Sequence, residues 1–175
     1  MQPAERQAEQ LLRWNASDKK LYRVVAKASS HHPKHPVKYL LDGDPATAWC
    51  EGVPSMGVGE SVRFWFDTTT IPCQLYGVAV THGYLKSQKT YLENGRVTKF
   101  SLTDCQGVRS YLGSTAVELQ SWYRHGASDY KFPDDIQFAK NLGKVCLQLT
   151  ITDVANGQKY QDTCLSEVTF LSECG

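Results

Sequence analysis

The chain has 175 residues, with 19 Lys and Arg against 18 Asp and Glu and a formal net charge of +1. So even a balance gives no overall field to draw nucleic acid or an anionic membrane surface, and no apolar run approaches the ~20 residues that span a bilayer. The length fits one domain with a sizeable core and room for a short appendage, and no charged-then-apolar leader is visible at the N-terminus.

Pro3 to Trp14 is rich in Ala, Glu, Gln, Leu and Arg, all good helix formers. Ala4, Ala8, Leu11 and Leu12 recur near helical spacing. This predicts a short N-terminal helix or linker over residues 1–20, outside a main domain at 21–175. Leu21 to Ala28 alternates loosely and predicts a first strand. Two prolines break HHPKHP, which holds His31, His32 and His35. Without a carboxylate or thiolate nearby it reads as an exposed loop rather than a transition-metal site.

LLDGDPATAWCEG follows at residues 40–52. Asp42 and Asp44 flank Gly43, Pro45 fixes the next turn, and Trp49 enters what reads as a buried strand. Such a loop closes either as an Asx-turn or around a hard cation. Beyond it the strand signals accumulate. Ser61–Asp67 alternates and is rich in aromatics. Leu75–Val80 is a short apolar run. Arg96–Thr103 alternates with Val97, Phe100 and Leu102 toward a core. Tyr111–Leu112, Val117–Leu119 and Val168–Leu171 are shorter candidates. Lys144–Thr152 places Val145, Leu147, Leu149 and Ile151 at strict period two. Trp49 and Trp65 both read as core. Many short strands with no long helical crossover predict an all-β sandwich or jelly roll.

The six cysteines form no CxxC pair or zinc-type knuckle. An even, dispersed set favours disulfides and an oxidising compartment, and six cysteines allow about 15 pairings.

Three segments in order carry a family resemblance: DGDPATAWCEG, then GYLKSQKTYLENGRV, then ITDVANGQKYQDTCLSEV. Together they resemble the discoidin, or coagulation factor 5/8 type C, family. The similarity is to its NADase-type glycan-binding branch, found in bacterial proteins, and covers Ala28 to Leu171. The resemblance implies a discoidin-like, galactose-binding-like jelly-roll β-sandwich and a secreted, periplasmic or cell-surface location. It also implies a structural calcium ion held by Asp42, Asp44, Thr47 and Glu167. Such a site would bring Cys50 beside Cys164, so that pair is expected as a disulfide. Cys73 and Cys146 could then bridge the sheets, leaving Cys105 and Cys174. The middle section, Thr103 to Asn141, aligns only by its ends.

A sugar site combines an aromatic face with directional polar groups. Tyr84, Lys86, Tyr91, Asn94 and Arg96 offer both in one loop, and Trp122 adds an aromatic in a second polar loop. Glu51, Tyr123, Arg124, His125, Tyr130, Lys159, Tyr160 and Asp162 are further polar or aromatic groups. The same loop residues also fit a purely internal role, with the tyrosines packed on the sandwich and Asn94 and Arg96 fixing the backbone. No GxSxG, HExxH or GxxxxGK[ST] element appears, so the chain does not read as an enzyme. The expected function is a non-catalytic carbohydrate-binding module whose partner is a glycan or glycoconjugate. The alternative is a structural or protein-interaction domain on the same sandwich, contacting another protein or another domain of a longer parent chain. Neither nucleic-acid binding nor membrane insertion is expected.

Overall fold

The computed structural model describes residues 9–15, 20–67, 73–107, 110, 117–118, 128–131 and 144–174. The strands are β1 (Glu9–Asn15), β2 (Lys20–Ala28), β3 (Trp49–Cys50), β4 (Ser61–Asp67), β5 (Cys73–His82), β6 (Gly95–Asp104), β7 (Val117–Glu118), β8 (Ser128–Lys131), β9 (Lys144–Ala155) and β10 (Thr163–Cys174). One short α-helix, α1 (Gln88–Glu93), and a 3-10 turn at Val37–Leu40 complete the described elements.

The strands form one curled path, β1-β2-β4-β9-β6-β10-β5-β8, with β3 beside β10 and β7 beside β6. Every pairing is antiparallel except β6 with β10. That parallel contact aligns only Thr163 with Gly95 and Cys164 with Arg96. The path bends there into two facing layers, the jelly-roll sandwich that the strand pattern predicts. Alternation decides which side chains enter. Val62 and Phe64 of β4, Leu147, Leu149 and Ile151 of β9, and Val97, Phe100 and Leu102 of β6 are buried from one layer. Val78 and Val80 of β5 and Val168 and Phe170 of β10 meet them from the other. Phe64 and Phe170 touch edge to face across the layers, ring centroids 5.1 Å apart.

Three expectations are corrected. Residues 9–15 form strand β1, in register with β2 from Glu9 opposite Ala26 to Asn15 opposite Lys20. Helix propensity is a weak prior, and a neighbouring strand edge with unpaired backbone groups overrides it. Trp65 is only half buried. Its neighbour Phe64 takes the inward position, and period two turns the next side chain to the other face. Cys146 bonds to Cys105 rather than to Cys73. Adjacent antiparallel strands β6 and β9 align Asp104 with Leu147, and the next residue on each side is the cysteine pair. The expected Cys50–Cys164 disulfide is present, with Cα atoms 4.1 Å apart and a sequence separation of 114. On β5 and β10, Cys73 and Cys174 are aligned in register. Tyr111–Leu112 lies outside the described residues.

Candidate ligand-binding face

The acidic loop ahead of β3 closes on itself. Asp42 Oδ1 accepts from the Asp44 N–H at 2.9 Å, and Asp44 Oδ1 accepts from the Ala46 N–H at 2.8 Å. These are two successive Asx-turns. The Thr47 hydroxyl lies 2.7 Å from Asp42 Oδ2 and 2.9 Å from the Asp44 carbonyl oxygen. Gly43, at φ 78°, supplies the left-handed residue that the turn requires. Three of the four residues named for calcium therefore meet in one loop. The fourth, Glu167, lies on β10 in register with Thr81 of β5. Among the described residues, no three His, Cys, Asp or Glu side chains gather as a metal ion would need.

Just past the loop, β3 pairs with β10 so that Cys50 faces Cys164. Glu51 is buried at 1% exposure. Its carboxylate accepts from the Val53 N–H at 2.8 Å and the Thr163 N–H at 3.1 Å. Burial pushes its pKa up, and the two backbone N–H groups oppose that rise. A side chain at Gly57 would run into the Glu51 stem. Glu51 is thus a fastening between β3 and β10, with its oxygens held by backbone donors.

The loop after β5 has two unlike halves. At Gly83 (φ 79°) the chain turns over the Tyr91 ring so closely that a Cβ would collide with it. The Gly83 N–H donates to the Cys164 carbonyl and its own carbonyl accepts from the Ser166 hydroxyl at 2.7 Å. Ser87 then opens α1 with a capping box shared with Thr90. The N–H groups of Gln158, Lys159 and Tyr160 donate to the carbonyls of Leu92 and Glu93 and close its other end. Tyr91 is 2% exposed, edge-on to His82 at 5.8 Å, with the Arg96 guanidinium 4.7 Å over its ring. Arg96 also donates to the Tyr91 carbonyl at 2.9 Å, and Asn94, buried, donates to the Thr90 carbonyl at 2.8 Å. Tyr91 and Asn94 are thus buried, and Arg96 is half buried over the Tyr91 ring. Trp122 lies outside the described residues.

Tyr84 and Lys86 form the other half. Tyr84 is half buried and packs on the cluster of Ala48, Cys50 and Cys164. Burial raises its pKa, so the phenol stays neutral and able to donate. His35 meets it edge to face at 5.1 Å, and His32 lies 5.4 Å from His35. The two imidazoles have opposite hydrogen-bonding senses. His35 Nδ1 sits 3.2 Å from the Ala48 carbonyl, which can only accept, so Nδ1 carries the proton and Nε2 of the neutral ring is an acceptor. His32 Nδ1 accepts from the Lys34 N–H at 3.2 Å, so its Nε2 carries the proton and donates. Burial lowers the pKa of His35, with Asp162 opposing and Lys34 adding to the fall. The face thus offers a ring, a donor and an acceptor on a disulfide floor. Lys86 is exposed beside it.

Sequence reasoning placed Tyr84 here but left the HHPKHP loop aside. The pointer available was its prolines, which hold the histidines in a fixed backbone. Helix α1 was also missed; the sequence signal available was Ser87, a favoured N-cap residue.

The sequence matches the family model described as the NAD glycohydrolase translocation F5/8 type C domain over residues 16–171. No curated protein matches it. Among solved structures, the family 32 carbohydrate-binding module of Clostridium perfringens NanJ, in complex with galactose, is 18% identical. It has a TM-score of 0.54 over 86% of this chain and 93% of that one. The family 32 module of Streptococcus pneumoniae EndoD is 13% identical, with a TM-score of 0.56 over 85% of this chain and 94% of that one. An F5/8 type C domain from Bacteroides fragilis is 13% identical, with a TM-score of 0.54 over 86% of this chain and 91% of that one. These likenesses show the fold, and the match across most of the sequence places this chain in the NAD glycohydrolase translocation F5/8 type C domain family.

Proposed function

We propose that this domain is a non-catalytic glycan-binding module of a secreted or cell-surface protein, and that Tyr84, His35 and His32 form its sugar-binding face. The observation that carries the reading is the half-buried Tyr84 ring, packed on the Cys50–Cys164 disulfide with His35 edge-on to it and His32, of opposite hydrogen-bonding sense, next to His35. A pyranose packs its C–H face on such a ring while its hydroxyls, each donor and acceptor, pair with both imidazoles. The galactose bound by the NanJ module supports the ligand class. The Cys50–Cys164 and Cys105–Cys146 disulfides support an oxidising compartment. Titration calorimetry against a panel of oligosaccharides tests this. Binding that Tyr84→Ala removes from a folded domain is the expected result; a folded domain that binds no saccharide overturns it.

A second reading takes its support from the family's description, which names translocation of an NAD glycohydrolase. On that reading the same face docks a protein or a neighbouring domain. Tyr84→Ala would then abolish capture of a protein partner while saccharides fail to compete for the face.

A further inference from the structure

We propose that His35 makes the Tyr84 face sensitive to acid: the face holds a saccharide while the imidazole is neutral and releases it when the imidazole is charged. This rests on the glycan-binding reading and adds to it the condition under which the site binds.

The loop that carries the ring is fixed from both sides. The His32 N–H donates to the Cys50 carbonyl at 2.8 Å, and the Cys50 N–H donates to the His35 carbonyl at 3.3 Å. A third bond, from the His35 N–H to the His32 carbonyl at 2.9 Å, closes the turn between them. Pro33 and Pro36 restrict the backbone further. Within this frame the Nδ1 proton of His35 is committed to the Ala48 carbonyl. Turning the ring over would break that bond, so Nε2 is the nitrogen left to accept from a sugar hydroxyl. A proton added at Nε2 turns this acceptor into a donor, and neither nitrogen then accepts.

The surroundings set the direction of the response. Around His35 stand His32 and Lys34 from its own loop, Asp162 from the segment ahead of β10, and the Tyr84 ring, edge-on at 5.1 Å, from the loop after β5. The chain leading into β3 contributes the uncharged Ala48 carbonyl. Burial is the largest influence on His35 and lowers its pKa below the ordinary 6.5. The Ala48 carbonyl and Asp162 oppose that fall, while His32 and Lys34 add to it. A ligand that needs the neutral ring therefore binds fully above the folded-state value. Below it, affinity drops by about ten-fold per pH unit.

Uncharged sugars are the probes, because they do not themselves titrate: galactose, lactose and N-acetyllactosamine, measured by calorimetry on the whole chain. Affinity should fall at least about three-fold between about pH 7.5 and about pH 5. Followed by NMR, the His35 imidazole should titrate at lower pH with saturating sugar than without it, since the two effects are one linkage. His35→Gln keeps a polar side chain that does not titrate; it should bind more weakly at neutral pH and with a flattened profile. Equal wild-type affinity at both ends of the range, in a domain that thermal melts show to be folded at each, would overturn the inference and leave the glycan-binding reading standing. A His35 titration unmoved by sugar, or a His35→Gln profile as steep as that of the wild type, would overturn it by placing the titrating group elsewhere. A folded domain that binds none of the three sugars overturns it as well, and the wider oligosaccharide panel then decides the glycan-binding reading separately.

Discussion

Tyr84 and Tyr91 stand seven residues apart in one loop and have opposite fates. Tyr91 lies beneath Gly83 and Arg96, with its backbone carbonyl and its neighbours' side chains joined by hydrogen bonds. Tyr84 rests one side on the disulfide cluster and keeps part of its ring in contact with solvent. The difference comes from α1, a six-residue helix that turns the second half of the loop inward and leaves the first half at the rim. Residue type alone would group the two tyrosines; the backbone path separates a scaffold from a surface that can meet a ligand.

Substitutions sharpen that contrast, beginning with the largest effect on stability. Replacing both Cys50 and Cys164 by Ser should remove about 5 kcal/mol in the chain-entropy model, measured by urea unfolding. It should also weaken binding, because Tyr84 loses its floor. Tyr91→Ala should cost about 3–5 kcal/mol, as for other buried aromatic truncations, and any loss of binding should track the loss of folded protein. An unchanged unfolding midpoint would show that the inner half does not hold the loop.

Glu51→Gln should cost about 1–3 kcal/mol at neutral pH, since one of two backbone N–H groups then lacks an oxygen acceptor. Its pH signature has a defined sign. The folded-state pKa lies above the ordinary 4.5. The stabilising contribution is therefore full below 4.5 and is lost as pH rises through the raised folded value. The wild type should show this slope in thermal melts and Glu51→Gln should lack it. Tyr84→Ala reverses the pattern of Tyr91→Ala: about 1 kcal/mol in stability against a loss of affinity of at least about ten-fold. Equal effects of the two tyrosine variants on binding, once corrected for unfolding, would break the division between scaffold and rim. The smallest effect concerns the acidic loop. There the Thr47 hydroxyl donates to Asp42 at an exposed site, so Thr47→Val should lower Tm by no more than the several degrees that ~1 kcal/mol gives a domain. A rise of several degrees on adding calcium would show that the ion binds the native fold.

Much of the sandwich was legible from residue alternation. Leu147, Leu149 and Ile151 fall on one face because period two is a property of the strand itself. The Cys50–Cys164 bond was expected from the family resemblance, which implies that the loop before Cys50 meets the strand that carries Cys164. Strand β1 was hidden because Glu9–Asn15 takes its conformation from β2 rather than from its own propensities. Cys105–Cys146 was hidden because register decides it, and register is a tertiary quantity. The proposed face was only half within reach of the sequence. Loop composition pointed to Tyr84, whereas His32 and His35 lie some fifty residues earlier and reach it only through the fold.

The Cys50–Cys164 bond also sets how far this domain can be drawn out under force. It encloses a sequence separation of 114, which at about 3.4 Å per residue would otherwise yield roughly 390 Å of chain. While the bond is oxidised, a pull on the two flanking segments passes from β3 to β10 through sulfur and bypasses that length. A single-molecule stretch should gain it in a reductant-dependent step, turning the floor of the proposed binding face into a readable limit on extension.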